Sequence, residues 1–313
     1  MDIICVGEMV IDFLPGEEEG VYIRKAGGAP ANVAIAAARN GLEAGFCGCV
    51  GDDDFGRFLI DTLRSNKVSI LCPDMVREAV TTMAFVTLNR DGERSFTFAR
   101  KPGADMFLTR AHIDKADVAR AKVLHAGSCS LSKDPAAAAT VYAMEQAKKA
   151  GRLVSFDVNY RNLLWDDDRQ AAIRAVQDIL PLVDLLKVSE EECDFLGGEE
   201  KIADTAEMNG ISLVVETLGS KGARCYWNGK EISVPGMKAV CVDTTGAGDA
   251  FWGGFLACLL RSGVEKVSQL TDDIINDALR YGNIAGWLCV QKKGAIESLP
   301  SSEEIERIKS EME

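Results

Sequence analysis

The run Asp243-Thr244-Thr245-Gly246-Ala247-Gly248-Asp249-Ala250-Phe251 gathers residue types able to move a phosphoryl group. A short apolar stretch, Ala239–Val242, leads into it, and a helical apolar pattern, Ala250–Leu260, leads out. The spacing predicts a strand, a glycine turn and a helix start, with a carboxylate on each side. Glycine lets a backbone approach a ligand closely and adopt φ > 0. The amides of Gly246, Ala247 and Gly248 then face outward at a positive helix terminus, which suits an anion. Asp249 stands beside that hole, where a general base would take a proton from a hydroxyl. In isolation the same residues also read as an N-cap and a plain turn.

Two weaker features sit near the start of the chain. Gly27-Gly28-Ala29-Pro30-Ala31-Asn32 opens a predicted helix, and Asn32 offers both a donor and an acceptor. Asp12, in Val10-Ile11-Asp12-Phe13, could accept hydrogen bonds from vicinal hydroxyls. Each alone also reads as structural, a helix cap and a turn. Other nucleotide signatures are missing. The sequence has no Gly-x-x-x-x-Gly-Lys-Ser/Thr loop, and no Gly-x-Gly-x-x-Gly follows the first strand. The two histidines, His112 and His125, are far apart in sequence, which argues against zinc chemistry and a Ser-His-Asp hydrolase. His125 lies in a strand-like run and reads as a core residue.

Composition narrows the class. The 313 residues suffice for a large core, and the net charge of -13 argues against a nucleic-acid or anionic-membrane surface. The sequence predicts no nucleic-acid or membrane partner. Met1–Glu8 lacks a basic region and carries a short apolar run, which predicts no secretory leader. The ten cysteines are scattered without Cys-x-x-Cys spacing and mostly lie in apolar runs. They read as reduced, buried small hydrophobes of a cytoplasmic protein.

The elements that must position these residues alternate. Strand-like runs at Ile3–Val6, Gly45–Val50, Val123–Ala126, Leu153–Phe156, Leu185–Val188 and Leu213–Glu216 are interleaved with helical patterns. The helices are Pro30–Asn40, Phe55–Ser65, Pro135–Ala150, Asp167–Ile179 and Glu190–Leu196, then Asp249–Arg261, Asp273–Val290 and Ser302–Glu311. This order predicts a parallel sheet covered on both faces, with ligands at the carboxyl ends of its strands. Val21–Lys25, Thr82–Leu88 and Arg94–Ala99 are β-like without following helices, the last two flanking a hairpin loop at Asn89–Glu93. They predict a small sheet that serves as a lid and a dimer surface. The expected division is a core of 1–11, 28–80 and 101–313, with a lid of 12–27 and 81–100. The acidic run Gly16–Gly20 reads as a solvated loop.

With Gly27-Gly28-x-x-x-Asn32 early and Asp243-Thr-Thr-Gly-Ala-Gly-Asp249 late, the chain resembles the ribokinase-like, phosphofructokinase B-type sugar kinases over nearly its whole length. The resemblance implies a three-layer α/β/α sandwich with a mainly parallel sheet and a small β lid. It implies ATP and Mg²⁺ as reactants, with K⁺ as an activator. Asp249 matches the family's catalytic base, and Gly246, Ala247 and Gly248 its anion hole. Thr217-Leu218-Gly219-Ser220-Lys221-Gly222 resembles the nucleotide loop, giving Thr217, Gly219 and Gly222 to ATP, with Asn283 near the adenine. Asp243 and Thr245, with Cys289, Lys292, Gly294 and Ser298, match the segments that enclose a monovalent cation. The family's Asn-x-x-Glu is altered here to Ser189-x-x-Glu192, within Lys187-Val188-Ser189. Glu192 can still orient a magnesium-bound water. Lys187 and Ser189 remain expected ATP neighbours, although a serine cannot donate as an amide does.

The segment from Asp157 to Trp165 resembles the Asp-x-Asn-x-Arg-x-x-Leu-Trp of fructokinases, and is also similar to 2-keto-3-deoxygluconate and aminoimidazole riboside kinases. The stretch from Gly92 to Asp105 favours fructokinase. The resemblance then assigns Asp12, Gly28, Asn32, Arg100, Asn159 and Arg161 to the sugar. Both arginines also read as surface ion pairs in so acidic a chain. The expected reaction is ATP-dependent phosphorylation of D-fructose at a primary hydroxyl. The alternatives are a 2-keto-3-deoxygluconate kinase, with the keto-acid clamped by Arg161, another ribokinase-like sugar or nucleoside kinase, and a non-catalytic sugar-binding regulator.

Overall fold

In the computed structural model the described residues are 1–18, 20–88 and 94–312. The hairpin loop expected at Asn89–Glu93, and Glu19 of the acidic run, lie outside them. The chain begins β1 (Ile3–Val6), β2 (Val10–Pro15), β3 (Tyr22–Gly27), α1 (Ala29–Arg39), β4 (Ala44–Cys47), α2 (Asp54–Ser65) and β5 (Ser69–Ile70). It continues β6 (Met83–Leu88), β7 (Arg94–Ala99), α3 (Arg110–Ala116), β8 (Val123–Gly127), α4 (Ala136–Lys149), β9 (Leu153–Asp157) and α5 (Arg169–Ile179). Next come β10 (Leu185–Ser189), α6 (Ile202–Asn209), β11 (Leu213–Thr217), β12 (Gly222–Trp227) and β13 (Lys230–Pro235). The C-terminal helices are α7 (Ala247–Arg261), α8 (Asp272–Cys289), α9 (Ala295–Ser298) and α10 (Ser302–Met312).

Among the described residues the large sheet runs β13-β12-β11-β10-β9-β8-β1-β4-β5, parallel except at β12 and β13. β1 sits between β4 and β8 and is wholly buried, with Ile3 opposite both Ala44 and Val123. Its side chains alternate. Ile3 and Cys5 join a core with residues of α1, α2, α7 and α8, while Ile4 and Val6 join one with α4, α5 and α6. A continuous apolar strand is what a sheet covered on both faces requires. The second sheet runs β3-β2-β6-β7, antiparallel except that β2 and β6 run parallel. Phe13 and Phe85 stack across it at 4.8 Å. The expected fold class is present: a mainly parallel α/β sandwich with a small accessory sheet.

Several local readings change. Ala239–Val242 is not a strand but an exposed irregular stretch, with Val240 83 % exposed. Four apolar residues without a sheet neighbour gain nothing by extending, and Val242 N instead donates to Val290 O at 2.8 Å. Cys241 therefore lies exposed, contrary to the expected burial, while the other nine thiols are buried. Val10–Phe13 belongs to strand β2, not a turn. β4 ends at Cys47, and the following Gly48 passes so close to Gly7 that a Cβ would lie 2.2 Å from its carbonyl oxygen. Glu190–Leu196 forms a 3₁₀ turn instead of an α-helix.

His125 is buried as expected, with Nδ1 3.0 Å from Ser155 Oγ. His112 meets two thiols that the sequence kept apart, and the possible ligand atoms of Cys49, Cys72 and His112 lie within 4.8 Å of one another. Its Nδ1 already accepts from Thr109 N at 3.0 Å, closing the cap of α3, and the thiols contact each other at 3.7 Å. Among the described residues no helix is long and apolar enough to cross a membrane.

Candidate active site

The first turn of α1, the residues following β9, and β10 meet at the start of α7. Gly246 caps that helix with φ 80°, and a Cβ there would lie 3.0 Å from Ala295 Cα, so both conformation and space call for glycine. The turn delivers Asp249 to the first turn of α7, where it is 6 % exposed. Its surroundings are polar. Asn32 Nδ2 donates to Oδ2 at 2.7 Å, and Asn159 Nδ2 donates to Oδ1 at 3.2 Å. Burial raises the Asp249 carboxyl above the usual carboxylate range, opposed by the Asn32 amide, Arg161, Lys187 and Asn159. A buried carboxylate held by two amides, with its proton affinity raised, is suited to accept a proton.

Lys187 is a buried cation beside the glycine turn. Its Nζ would lie 3.4 Å from a Cβ placed on Gly248. It is held by both oxygens of Asp157, at 2.9 and 3.0 Å, the two residues standing opposite in β10 and β9. Burial pushes Asp157 up to about 6, against the pull of Lys187 and with the further push of Glu192. Glu192 accepts from Tyr160 N at 2.6 Å and from Ser189 N at 2.9 Å. Ser189 and Glu192 thus form a capping box, which occupies the serine locally.

On the side expected to take the sugar, Gly28 adopts φ 108°, and a Cβ there would lie 2.6 Å from Glu8 O. Gly27 is as crowded, its Cβ position lying 2.2 Å from Asp12 Oδ2. Burial pushes Asp12 up to about 6, with Arg161 pulling down and Asp249 pushing up. Arg161 NH1 donates to Tyr160 O at 3.1 Å, and its charge acts on both Asp12 and Asp249. Arg100 is more committed. Its Nε and NH2 both donate to Asp105 Oδ2, at 2.9 and 2.7 Å, and NH1 donates to Ser132 Oγ at 3.1 Å.

The remaining residues form two neighbouring groups. Thr217 ends β11, Gly219 opens a 3₁₀ turn, and Gly222 starts β12 with φ 109°. Asn283, on α8, donates to the carbonyls of Val234 and Pro235 at 3.3 Å. Beyond the glycine turn, Asp243 Oδ1 accepts from Thr245 N and Oγ1, and Oδ2 accepts from Gly294 N at 3.0 Å. Cys289 Sγ lies 2.9 Å from Ser298 Oγ and 3.7 Å from Thr245 O. Five of the six expected cation residues are therefore joined by direct contacts. Lys292 sends its side chain outward to Glu304 at 3.1 Å and meets the group through its backbone, N donating to Cys289 O.

Residues 1–302 match the family described as pfkB family carbohydrate kinase. The chain belongs to that family. It is 42 % identical over 314 residues to Fructokinase-1 of Oryza sativa subsp. japonica, covering 97 % of this chain and 96 % of that one. A crystal structure of fructokinase with bound ATP from Xylella fastidiosa superposes with a TM-score of 0.92 at 33 % identity, covering 100 % of this chain and 99 % of that one. Fructokinase from Vibrio cholerae O395, in a fructose-, ADP- and calcium-bound form, gives 0.85 at 35 %, covering 98 % of each chain.

As a carbohydrate kinase the chain carries polar residues around its site that the sequence reading left unassigned. Asp157 was visible only as the first residue of its motif, yet the β9–β10 register sets it against Lys187. Asp105 takes the fork of Arg100, and Glu8 lies beneath Gly28. The signal for the Arg100–Asp105 pair was present in their spacing of five residues across a turn.

Proposed function

We propose that this carbohydrate kinase transfers the terminal phosphoryl group of ATP to the primary 6-hydroxyl of D-fructose. The observation that carries the reading is Asp249, buried and held by Asn32 and Asn159 at the open end of the sheet beside Lys187. The fructokinases among the relatives favour fructose as the acceptor. Asp249 takes the hydroxyl proton during in-line attack. The amides of Gly246, Ala247 and Gly248, with the Lys187 ammonium, stabilise charge on the transferring group, which is the main catalytic requirement of this chemistry. Asp12, Gly28, Asn32, Asn159 and Arg161 orient the sugar, and Arg100 shapes its wall through Asp105.

The residues present fit the expected ions. The Glu192 charge adds to the push on the Asp157 carboxyl beside a single lysine, an excess of negative charge that suits Mg²⁺. Glu192 would hold that ion through water, and the bound ion would supply charge neutralisation on the phosphates. Asp243, Thr245, Gly294, Ser298 and Cys289, with the Lys292 backbone, fit K⁺, a cation that favours oxygen donors. Thr217, Gly219 and Gly222 line the nucleotide phosphates, Ser189 lies alongside, and Asn283 is on the adenine side.

The small sheet serves as the lid. Lys25 of β3 reaches Glu297 of α9 at 2.7 Å, tying that sheet to the segment next to Gly294. Closing it excludes water and limits ATP hydrolysis. Its edge strand β3 and the residue before it leave Val21, Tyr22 and Ile23 exposed at 47, 40 and 48 %, which favours pairing with a second copy as a homodimer. The free thiols suit the reducing cytoplasm.

One observation keeps 2-keto-3-deoxygluconate as a second reading. Among the described residues Arg161 bonds only a backbone carbonyl with its side chain, leaving donors for a substrate carboxylate. Turnover with ATP on fructose, ribose and the keto-acid sugar at matched concentrations decides. Fructose is expected to react fastest, and reaction of the carboxylate-bearing sugar alone would overturn the assignment.

A further inference from the structure

The pairing of β1 with β8 ends at Val6 opposite Ala126, so Glu8 and Ser128 each lie two residues beyond the last paired position of adjacent strands. That is where ligands of a parallel sheet bind. Both are buried, at 5 and 0 % exposure. Glu8 Oε2 and Ser128 Oγ have no hydrogen-bond partner among the described residues, and neither does Asn32 Oδ1. Buried polar atoms without partners are rare and costly, so three in one region call for a ligand. Glu8 adjoins the sugar-side turn directly, its carbonyl lying 2.6 Å from the Cβ position of Gly28. That turn opens α1, which carries Asn32 to Asp249.

We propose that Glu8 and Ser128 form a second polar wall of the sugar site and hydrogen-bond acceptor hydroxyls other than the one that reacts; this rests on the sugar-kinase reading above. A purely structural glutamate would be expected to hold a cation. The cation whose charge acts on Glu8 is Arg100, and its fork is already closed on Asp105 at 2.7 and 2.9 Å. The ligand is a neutral polyol, not a phosphate. Acids dominate near Glu8, where Asp105 and Asp249 add negative charge, whereas Lys187 and the glycine-turn amides serve anions. Burial pushes Glu8 up to about 7, with Asp105 and Asp249 pushing the same way and Arg100 opposing. Near neutral pH much of it is a carboxylic acid, which both donates and accepts, as a hydroxyl partner requires.

The test uses the full chain and measures sugar KM, ATP KM and sugar-free ATP hydrolysis on Glu8→Met, Glu8→Gln and Ser128→Ala, using whichever sugar of the panel turns over. Glu8→Met is expected to raise sugar KM by about 10-fold or more, since a site built for a hydroxyl discriminates strongly once its partner is gone. ATP KM and sugar-free hydrolysis should stay put. Glu8→Gln, which keeps a donor and an acceptor, should recover at least half of that loss on a logarithmic scale. Ser128→Ala should raise sugar KM by about threefold to tenfold, and it covers the case in which Glu8→Met does not fold. Unchanged sugar KM in folded variants, or equal effects on sugar and ATP, would overturn the proposal while leaving the kinase reading intact. If wild type phosphorylates no sugar, both fall.

Discussion

Ala36 and Gly253 meet where α1 crosses α7, so closely that a Cβ on Gly253 would lie 2.5 Å from Ala36 Cβ. Each stands four residues, one helical turn, past a site residue, Asn32 and Asp249. The contact therefore sets the distance at which Asn32 reaches the Asp249 carboxylate, 2.7 Å. Gly253→Ala should push the helices apart. Overpacking of this kind costs about 1–3 kcal/mol. The expected result is a lower melting temperature together with a lower kcat/KM for the sugar, checked by thermal unfolding and steady-state assays.

Asp249→Asn removes the proposed base while keeping the size and the polar surroundings of the side chain. Positioned proton transfer contributes roughly 10²–10⁴-fold. A fall of that size in kcat is expected, with ATP binding retained by calorimetry. An active Asp249→Asn variant would remove the base from its role.

Lys187 and Asp157 form a buried pair, so the two single variants and the double variant separate stability from catalysis. Lys187→Met leaves the Asp157 charge unpaired, which costs about 3–5 kcal/mol. Asp157→Leu added to it should restore most of the stability, because neutral side chains of similar size replace buried ions at little cost. Activity should stay low in both, since the ammonium beside Gly248 is gone. Denaturant titration and initial rates report the two effects.

The layers of this fold were legible because its strands are short apolar runs punctuated by helices. Ile3–Val6 begins and ends where the sequence places it, since burial on both faces makes every residue of that strand apolar. The turn of the β12–β13 hairpin carries an equally legible signal. Asn228-Gly229 adopts positive φ at both positions, 48° and 72°, as a two-residue turn demands. Asp249 and Asn32 could be named as candidates from the glycine turns beside them, and Asn159 from the resemblance carried by Asp157–Trp165. Asp157, Glu8 and Ser128 could not, because their roles come from strand register and burial that act between segments distant in sequence. The strand expected at Ala239–Val242 failed for the converse reason. Its residues are apolar, but among the described residues no strand pairs with them.

Asp12 gives a pH signature of sign opposite to an ordinary paired carboxylate. Its folded pKa is raised, to about 6 from an unfolded value of 3.8, so the folded state holds the proton more tightly. That contribution to stability is complete below pH 4 and is lost as pH rises through about 6. Asp12→Asn abolishes the titration. Its stability relative to wild type should therefore rise between pH 4 and pH 7, by at most about 3 kcal/mol for a shift of this size. Denaturant unfolding of both proteins across that range measures the difference.

Asp243 links the glycine turn to the segment before α9, accepting from Thr245 on one oxygen and from Gly294 N on the other. If K⁺ binds there, its charge is balanced by this carboxylate, and occupancy stiffens the loop that aims the Gly246–Gly248 amides. Asp243→Asn keeps the shape and removes the charge. Wild type should be faster in K⁺ than in a bulky organic cation at equal ionic strength, and the variant should show a ratio near one. The loss should appear mainly in kcat, because the amides act on charge that develops during transfer and not on the bound sugar. A variant that retains the full K⁺ response would place the activating ion elsewhere.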